Sequence, residues 1–123
     1  MTYTIGTKRG KTNNEEQGFE MEDEKYYLNN KIYNITKSDK LYEYTQREAT
    51  GKLFMGKYPM MREVEIRIYS SVKGNLFQTI TKDGRISIKD INDEGFKEIL
   101  LRENALDILE KLYPLSYKKL EEY

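Results

Sequence analysis

Chemistry at a protein surface needs side chains that exchange protons, attack electrophiles or hold metals, and this sequence lacks the two most versatile of them. Its 123 residues include no His and no Cys. A thiol nucleophile, a Cys-ligated zinc and a disulfide framework are therefore excluded, as are imidazole acid-base catalysis and nearly every catalytic zinc site. The five serines, Ser38, Ser70, Ser71, Ser87 and Ser116, occupy neither a G-x-S-x-G elbow nor an S-x-x-K motif. Ser38-Asp39-Lys40 reads instead as a turn, where such side chains bond the backbone. Paired carboxylates are the remaining catalytic route. Glu63 and Glu65 fall on one strand face, about 7 Å apart by strand rise, but on the polar side of an amphipathic strand, which reads as solvated surface. Asp90, Asp93 and Glu94 precede a helix and are explained by capping. Asp83-Gly84 lacks the acids of a calcium loop, and no glycine-rich phosphate loop is present. The expectation is a protein with no catalytic residues, no cofactor and no metal.

Side chains suited to binding are more plentiful. Eleven tyrosines include Tyr26, Tyr27, Tyr33, Tyr42, Tyr44, Tyr58 and Tyr69 in the strand-like region, where tyrosine is favoured with or without a partner. Tyr69 and Phe77 fall opposite the apolar face Val64, Ile66, Ile68, and Arg67, Arg85 and Lys89 are expected to share that outer side. An aromatic and basic sheet face stacks bases or forms a protein-binding patch. It is equally suited to lying under a second layer built from the N-terminal hairpins. Arg67, Tyr69, Phe77, Arg85 and Lys89 are the candidate binding surface.

Charge divides the same two partner classes. The 21 basic and 21 acidic residues cancel, but residues 31–89 carry twelve positive and six negative charges while residues 90–123 carry five and nine. A basic, tyrosine-rich middle is one footprint of nucleic-acid binding. Overall neutrality, and an acidic tail able to neutralise the middle, favour a protein partner. No run reaches the ~18 apolar residues of a membrane span and no secretory leader is evident, so a cytoplasmic location without membrane attachment is expected. Lys, Asn, Ile and Tyr supply 45 residues and Ala only two, which points to a low-GC bacterium, its phage or a mobile element. In composition alone the chain resembles small accessory proteins of phages and mobile elements, some of which inhibit host systems by binding a protein.

The elements that position these residues follow from period. Residues 1–24 form a polar arm, mobile or loosely docked, with Tyr3-Thr4-Ile5 as a short edge strand and Phe19 and Met21 as its anchors. Residues 25–123 form a single α+β domain, β-rich over 25–89 and helical over 90–123. Asn29-Asn30 joins a first hairpin. Leu41–Arg47 and Lys52–Lys57 flank a turn at Ala49-Thr50-Gly51, and Pro59 marks a join between two meanders that share a faint 36-residue echo, Ile32-Tyr33 and Ile68-Tyr69. Glu63–Tyr69 alternates strictly. A three-residue loop at Lys73-Gly74-Asn75 would set Ile68 opposite Ile80, with Asn75 left-handed. Asp83-Gly84 signals another hairpin, with a bulge or a longer loop required to bring Ile80 against Ile88 if Val64, Ile66, Ile68, Ile80, Ile86 and Ile88 share one buried face. After Asn92, a helix N-cap, spacing turns helical. Asn104 offers a second cap, and Pro114 ends the second helix and opens a last turn. The expected fold is an antiparallel meander of about five or six strands followed by C-terminal helices on one face. The expected function is a non-enzymatic binding module acting by protein–protein contact, an inhibitor or regulator of a larger complex, with nucleic-acid binding as the alternative.

Overall fold

Alternating apolar and polar residues from Glu63 to Tyr69 can bury one face only as a strand, and a meander is built around that segment. The computed structural model describes residues 3–4, 8–9 and 23–122. The chain divides into two compact units, Met1–Asp90 and Ile91–Tyr123. The first is antiparallel β and the second is helical, which makes the class α+β. The expected arm anchors Phe19 and Met21 lie outside the described residues.

The first unit holds two sheets. β1 (Tyr3–Thr4), β5 (Asp39–Phe54), β6 (Tyr58–Ser70), β7 (Leu76–Lys82) and β8 (Arg85–Asp90) form one, in the order β1-β8-β7-β6-β5. β2 (Lys8–Arg9), β3 (Lys25–Leu28) and β4 (Lys31–Asn34) form the other, in the order β2-β3-β4. Tyr3–Thr4 is the short edge strand expected there, paired with Ile88 and Ser87. The Asn29-Asn30 turn has both residues at positive φ, 54° and 61°, as a two-residue loop matched to strand twist requires. Ile32-Tyr33 lies in β4 and Ile68-Tyr69 in β6, in different sheets, so their echo corresponds to no structural repeat.

Three expected connections form differently. The β6–β7 loop does have three residues, but they are Val72, Lys73 and Gly74. Ser71 N–H donates to Asn75 O and Gly74 N–H to Ser71 O, both at 2.8 Å. Gly74 takes the left-handed position with φ 86°, because glycine adopts it without the steric penalty that asparagine bears. The loop therefore slides by one residue and the register by two, setting Ile66 opposite Ile80. Neither a bulge nor a longer loop follows Ile80. Asp83 and Gly84, at φ 50° and 77°, close a plain two-residue turn that places Ile80 opposite Ser87 and Thr79 opposite Ile88. Finally, β5 does not turn at Gly51. It runs on to Phe54, reverses through Met55-Gly56-Lys57 and returns as β6, with Pro59 paired to Leu53 inside the ribbon.

The plain Asp83-Gly84 turn is tolerated because the sheet buries both of its faces. Val64, Ile66 and Ile68 are buried on the first. On the second, Ile88 joins Tyr69, Phe77, Tyr26 and Tyr33 in a core cluster, with Leu28, Ile35 and Ile86 packed against it. Ile86 and Ile88 thus belong to the face opposite Ile66 and Ile68. Tyr33 meets Phe77 edge-on at 5.1 Å, and Tyr69 stacks on Phe77 at 5.3 Å. The hydroxyls reach the rim, where Tyr26 donates to Glu24 (2.7 Å) and Tyr33 to Asp90 (2.8 Å). Aromatic rings inside with polar tips outside suit tyrosine's split chemistry.

In the helical unit, α1 (Asp93–Arg102) starts as expected, with the Asn92 side chain accepting from Gly95 N–H at 2.8 Å and Asp93 and Glu94 in the first turn. Phe96, Ile99 and Leu100 are its buried stripe. Asn104 does not cap α2 (Leu106–Leu112) but ends α1. It sits at φ 57°, its N–H bonds Leu101 O, and Ala105 N–H reaches back to Leu100 O. That is a Schellman ending, with buried Ala105 and Leu100 at its two apolar positions. Pro114 opens α3 (Pro114–Lys118). Tyr113 donates to Asp93 at 2.7 Å and carries Lys97 over its ring. Burial and the Asp93 carboxylate push the Tyr113 hydroxyl up from its ordinary value.

Candidate interaction site

The five residues expected to form one outer surface are not brought together. Tyr69 and Phe77, 8% and 2% exposed, belong to the aromatic core beneath β3 and β4. Arg67 is on that same face but half-exposed, held by Glu65 at 3.1 Å and Glu43 at 3.7 Å. Arg85 and Lys89 lie opposite Lys82 and Gln78, on the other face. The misplacement follows from the bulge that does not form: without it the parity of every β8 residue is inverted. Glu63 and Glu65 keep one face, but Glu65 is engaged by Arg67. Among the described residues, no group of three or more carboxylates is placed to hold a metal, and no helix is long and apolar enough to cross a membrane.

The longest run of exposed apolar side chains among the described residues lies elsewhere. β6 meets β7 only as far as Val64, opposite Lys82. Beyond that point β5 and β6 continue as a two-stranded ribbon over residues 47–63, paired through Arg47–Glu63, Glu48–Arg62, Ala49–Met61, Leu53–Pro59 and Phe54–Tyr58. At ~3.3 Å per residue it projects about 20 Å past the β7–β8 turn. The register shifts between Ala49 and Leu53, and Gly51 at φ 86° supplies the left-handed residue of a bulge, which bends a strand and sharpens its twist. Pro59 is compatible with this position because each strand of a free ribbon has one unpaired edge.

The base and the tip of the ribbon differ in chemistry. At the base, Arg62 donates through Nε (2.9 Å) and Nη2 (2.6 Å) to one Glu48 oxygen and through Nη1 (2.8 Å) to Asp83, while Lys82 approaches Glu48 at 3.1 Å. This network ties the ribbon to the β7–β8 turn. Hydrogen bonds from Arg62, then Lys82, hold the Glu48 carboxyl below the usual carboxylate range.

At the tip, Leu53, Phe54, Met55, Tyr58, Met60 and Met61 are each between 42% and 77% exposed. Phe54, Tyr58 and Met60 lie on one face, Leu53, Pro59 and Met61 on the other. Lys52 and Lys57 are the only charges in residues 49–61. With large side chains, roughly 700 Å² is exposed in all, divided between the two faces, so that each face is of the order of the ~300–600 Å² of the largest patch on a typical monomer.

Sequence reading missed this ribbon because Gly51 and Pro59 both read as breaks. The available signal was the methionines, three of the five falling within residues 55–61. Flexible, polarizable thioethers are over-used on adaptable binding surfaces. No protein-family model matches the chain, and no curated protein or solved structure does either.

Proposed function

We propose that this chain is a non-enzymatic binding module that acts by protein–protein contact through the tip of the β5–β6 ribbon. The observation that carries the reading is the set of apolar side chains on both faces of a projecting ribbon, which the described residues leave in water. A cleft in a partner protein that encloses the ribbon would bury both faces at once, and aromatic and methionine side chains are the types enriched at such contacts. The charged base holds the ribbon in a fixed direction, which lowers the ordering cost of docking. In this reading the chain regulates or inhibits a larger cytoplasmic complex by occupying one of its surfaces.

Nucleic-acid binding draws less support. Tyr69 and Phe77 are buried, Arg67 is neutralised by two glutamates, and Arg85 and Lys89 are on the opposite face.

The test compares wild type with a Phe54→Ser, Met55→Ser, Tyr58→Ser variant in cross-linked affinity capture from the source cells, with circular dichroism to confirm folding. Wild type should retain a specific protein and the folded variant should lose it, while Arg85→Ala retains it. Equal retention by wild type and the ribbon variant overturns the assignment. Salt-sensitive recovery of nucleic acid instead would favour the alternative.

A further inference from the structure

The five-stranded sheet ends on β5, which pairs with β6 alone among the described strands. Its 16 residues make a long edge, and an open edge is a template for another strand unless it is short, bulged, or blunted by lysine or proline. Here the bulges stand at the ends of the segment, between Lys40 and Tyr42 and between Ala49 and Leu53. Lys40 and Lys52 stand with them. Between the bulges the backbone is regular, and Glu43, Thr45, Gln46 and Arg47 are exposed.

We propose that the regular segment of β5 pairs antiparallel with the same segment of a second copy of this chain, about a two-fold axis at Thr45, to form a homodimer with one continuous ten-stranded sheet. Charge complementarity selects both the occupant and the register. A two-fold axis normal to the sheet keeps like faces continuous. Centred on Thr45, it sets Glu43 opposite Arg47 of the partner subunit and Arg47 opposite Glu43 of the partner subunit, so that opposite charges meet twice.

The neighbouring registers do less. Centring on Tyr44 or Gln46 opposes no charges within the regular segment, and centring on Glu43 or Arg47 sets like charges against each other, which is unfavourable directly across a strand pair. Arg47 is available for the contact, since it is exposed and takes part in no ion pair among the described residues. The dimer uses the sheet edge and leaves both ribbon tips free, so it does not depend on the function proposed for the ribbon.

Sedimentation velocity on the full chain provides the test. Wild type should sediment at twice the 14.7 kDa chain mass. Arg47→Glu and Glu43→Arg should each be monomeric at the same concentration, with dissociation constants raised at least tenfold. An equimolar mixture of the two should recover the dimer, because each then supplies the charge that the other lacks. A wild type that stays monomeric up to its solubility limit overturns the proposal. So does a dimer that survives both single variants, or one that is lost with the ribbon substitutions and kept with Arg47→Glu.

A covalent readout is independent of how the charge variants behave. The chain has no cysteine, so Thr45→Cys introduces a single thiol at the two-fold axis. Directly opposed strand residues have Cα atoms about 4.5–5.5 Å apart, within disulfide range. Mild oxidation should yield a disulfide dimer from Thr45→Cys and not from a Thr50→Cys control. Equal cross-linking of the two overturns the register.

Discussion

Replacing Phe77 with alanine tests whether the second face of the sheet is interior. Phe77 is 2% exposed and lies between the rings of Tyr33 and Tyr69 at 5.1 and 5.3 Å. Truncating a buried phenylalanine costs ~3–5 kcal/mol through lost transfer energy and an unfilled cavity. Each aromatic pair adds about 0.5–1.5 kcal/mol beyond its area. An expected loss of about 4 kcal/mol is a large share of the ~5–15 kcal/mol typical of a domain. At roughly 4 °C per kcal/mol for a chain of this size, melting should fall by on the order of 15 °C. Phe54→Ala, on the exposed ribbon, is the internal control and should change stability by less than ~1 kcal/mol. Urea unfolding followed by tyrosine near-ultraviolet dichroism suits a chain with no tryptophan and eleven tyrosines. If Phe77→Ala unfolds no more readily than Phe54→Ala, the face is not covered, and Tyr69 and Phe77 return as surface candidates.

Three further outcomes are expected. Burial raises the Asp90 carboxyl, but hydrogen bonds from Lys31 (2.5 Å) and Tyr33 (2.8 Å) and the Lys31 charge outweigh it, leaving Asp90 below its ordinary value. The resulting stability is present at neutral pH and is lost as pH falls from the ordinary carboxylate range through Asp90's lower folded value. Asp90→Asn should therefore flatten the acid side of the urea-midpoint profile, and an unchanged slope would refute the linkage. Gln78 is buried with its Oε1 lacking a hydrogen-bond partner among the described residues; Gln78→Leu should stabilise by about 1 kcal/mol, and a destabilised variant would show that the amide is satisfied. Asn104→Gly should stabilise by ~0.5 kcal/mol, raising the melting temperature by about 2 °C, because glycine bears no penalty at φ 57°; a drop would instead favour Asn104 as the cap of α2.

Local signals were legible in the sequence wherever one residue type decides the geometry. Asn29-Asn30 gave its turn, Asn92 its cap and Pro114 the start of the last helix, because each choice is settled within a few residues. The β6–β7 loop was legible in type but not in register, since Gly74 and Asn75 compete for one left-handed position and glycine prevails. The orientation of β8 was not legible. Treating the sheet as buried on one face called for a bulge or a longer loop after Ile80, and only the covering sheet, with Tyr26 and Tyr33 from a distant hairpin, removes that requirement. The expected surface failed with it. The ribbon was hidden for a related reason: Gly51 has the conformation of a turn residue but serves as a bulge, a distinction set by the strand that continues beyond it.

The ribbon tip also carries a chemical vulnerability. Met55, Met60 and Met61 hold three of the chain's five thioethers, on residues that are 77%, 42% and 45% exposed, where peroxides reach them before any buried group. Conversion to the sulfoxide turns a pliable apolar side chain into a polar one, and it does so at the tip while leaving the aromatic core intact. Oxidation should therefore alter this protein from its extremity inward, removing the apolar character of the tip on which the proposed docking rests while the fold persists, and methionine sulfoxide reductases would reverse that change.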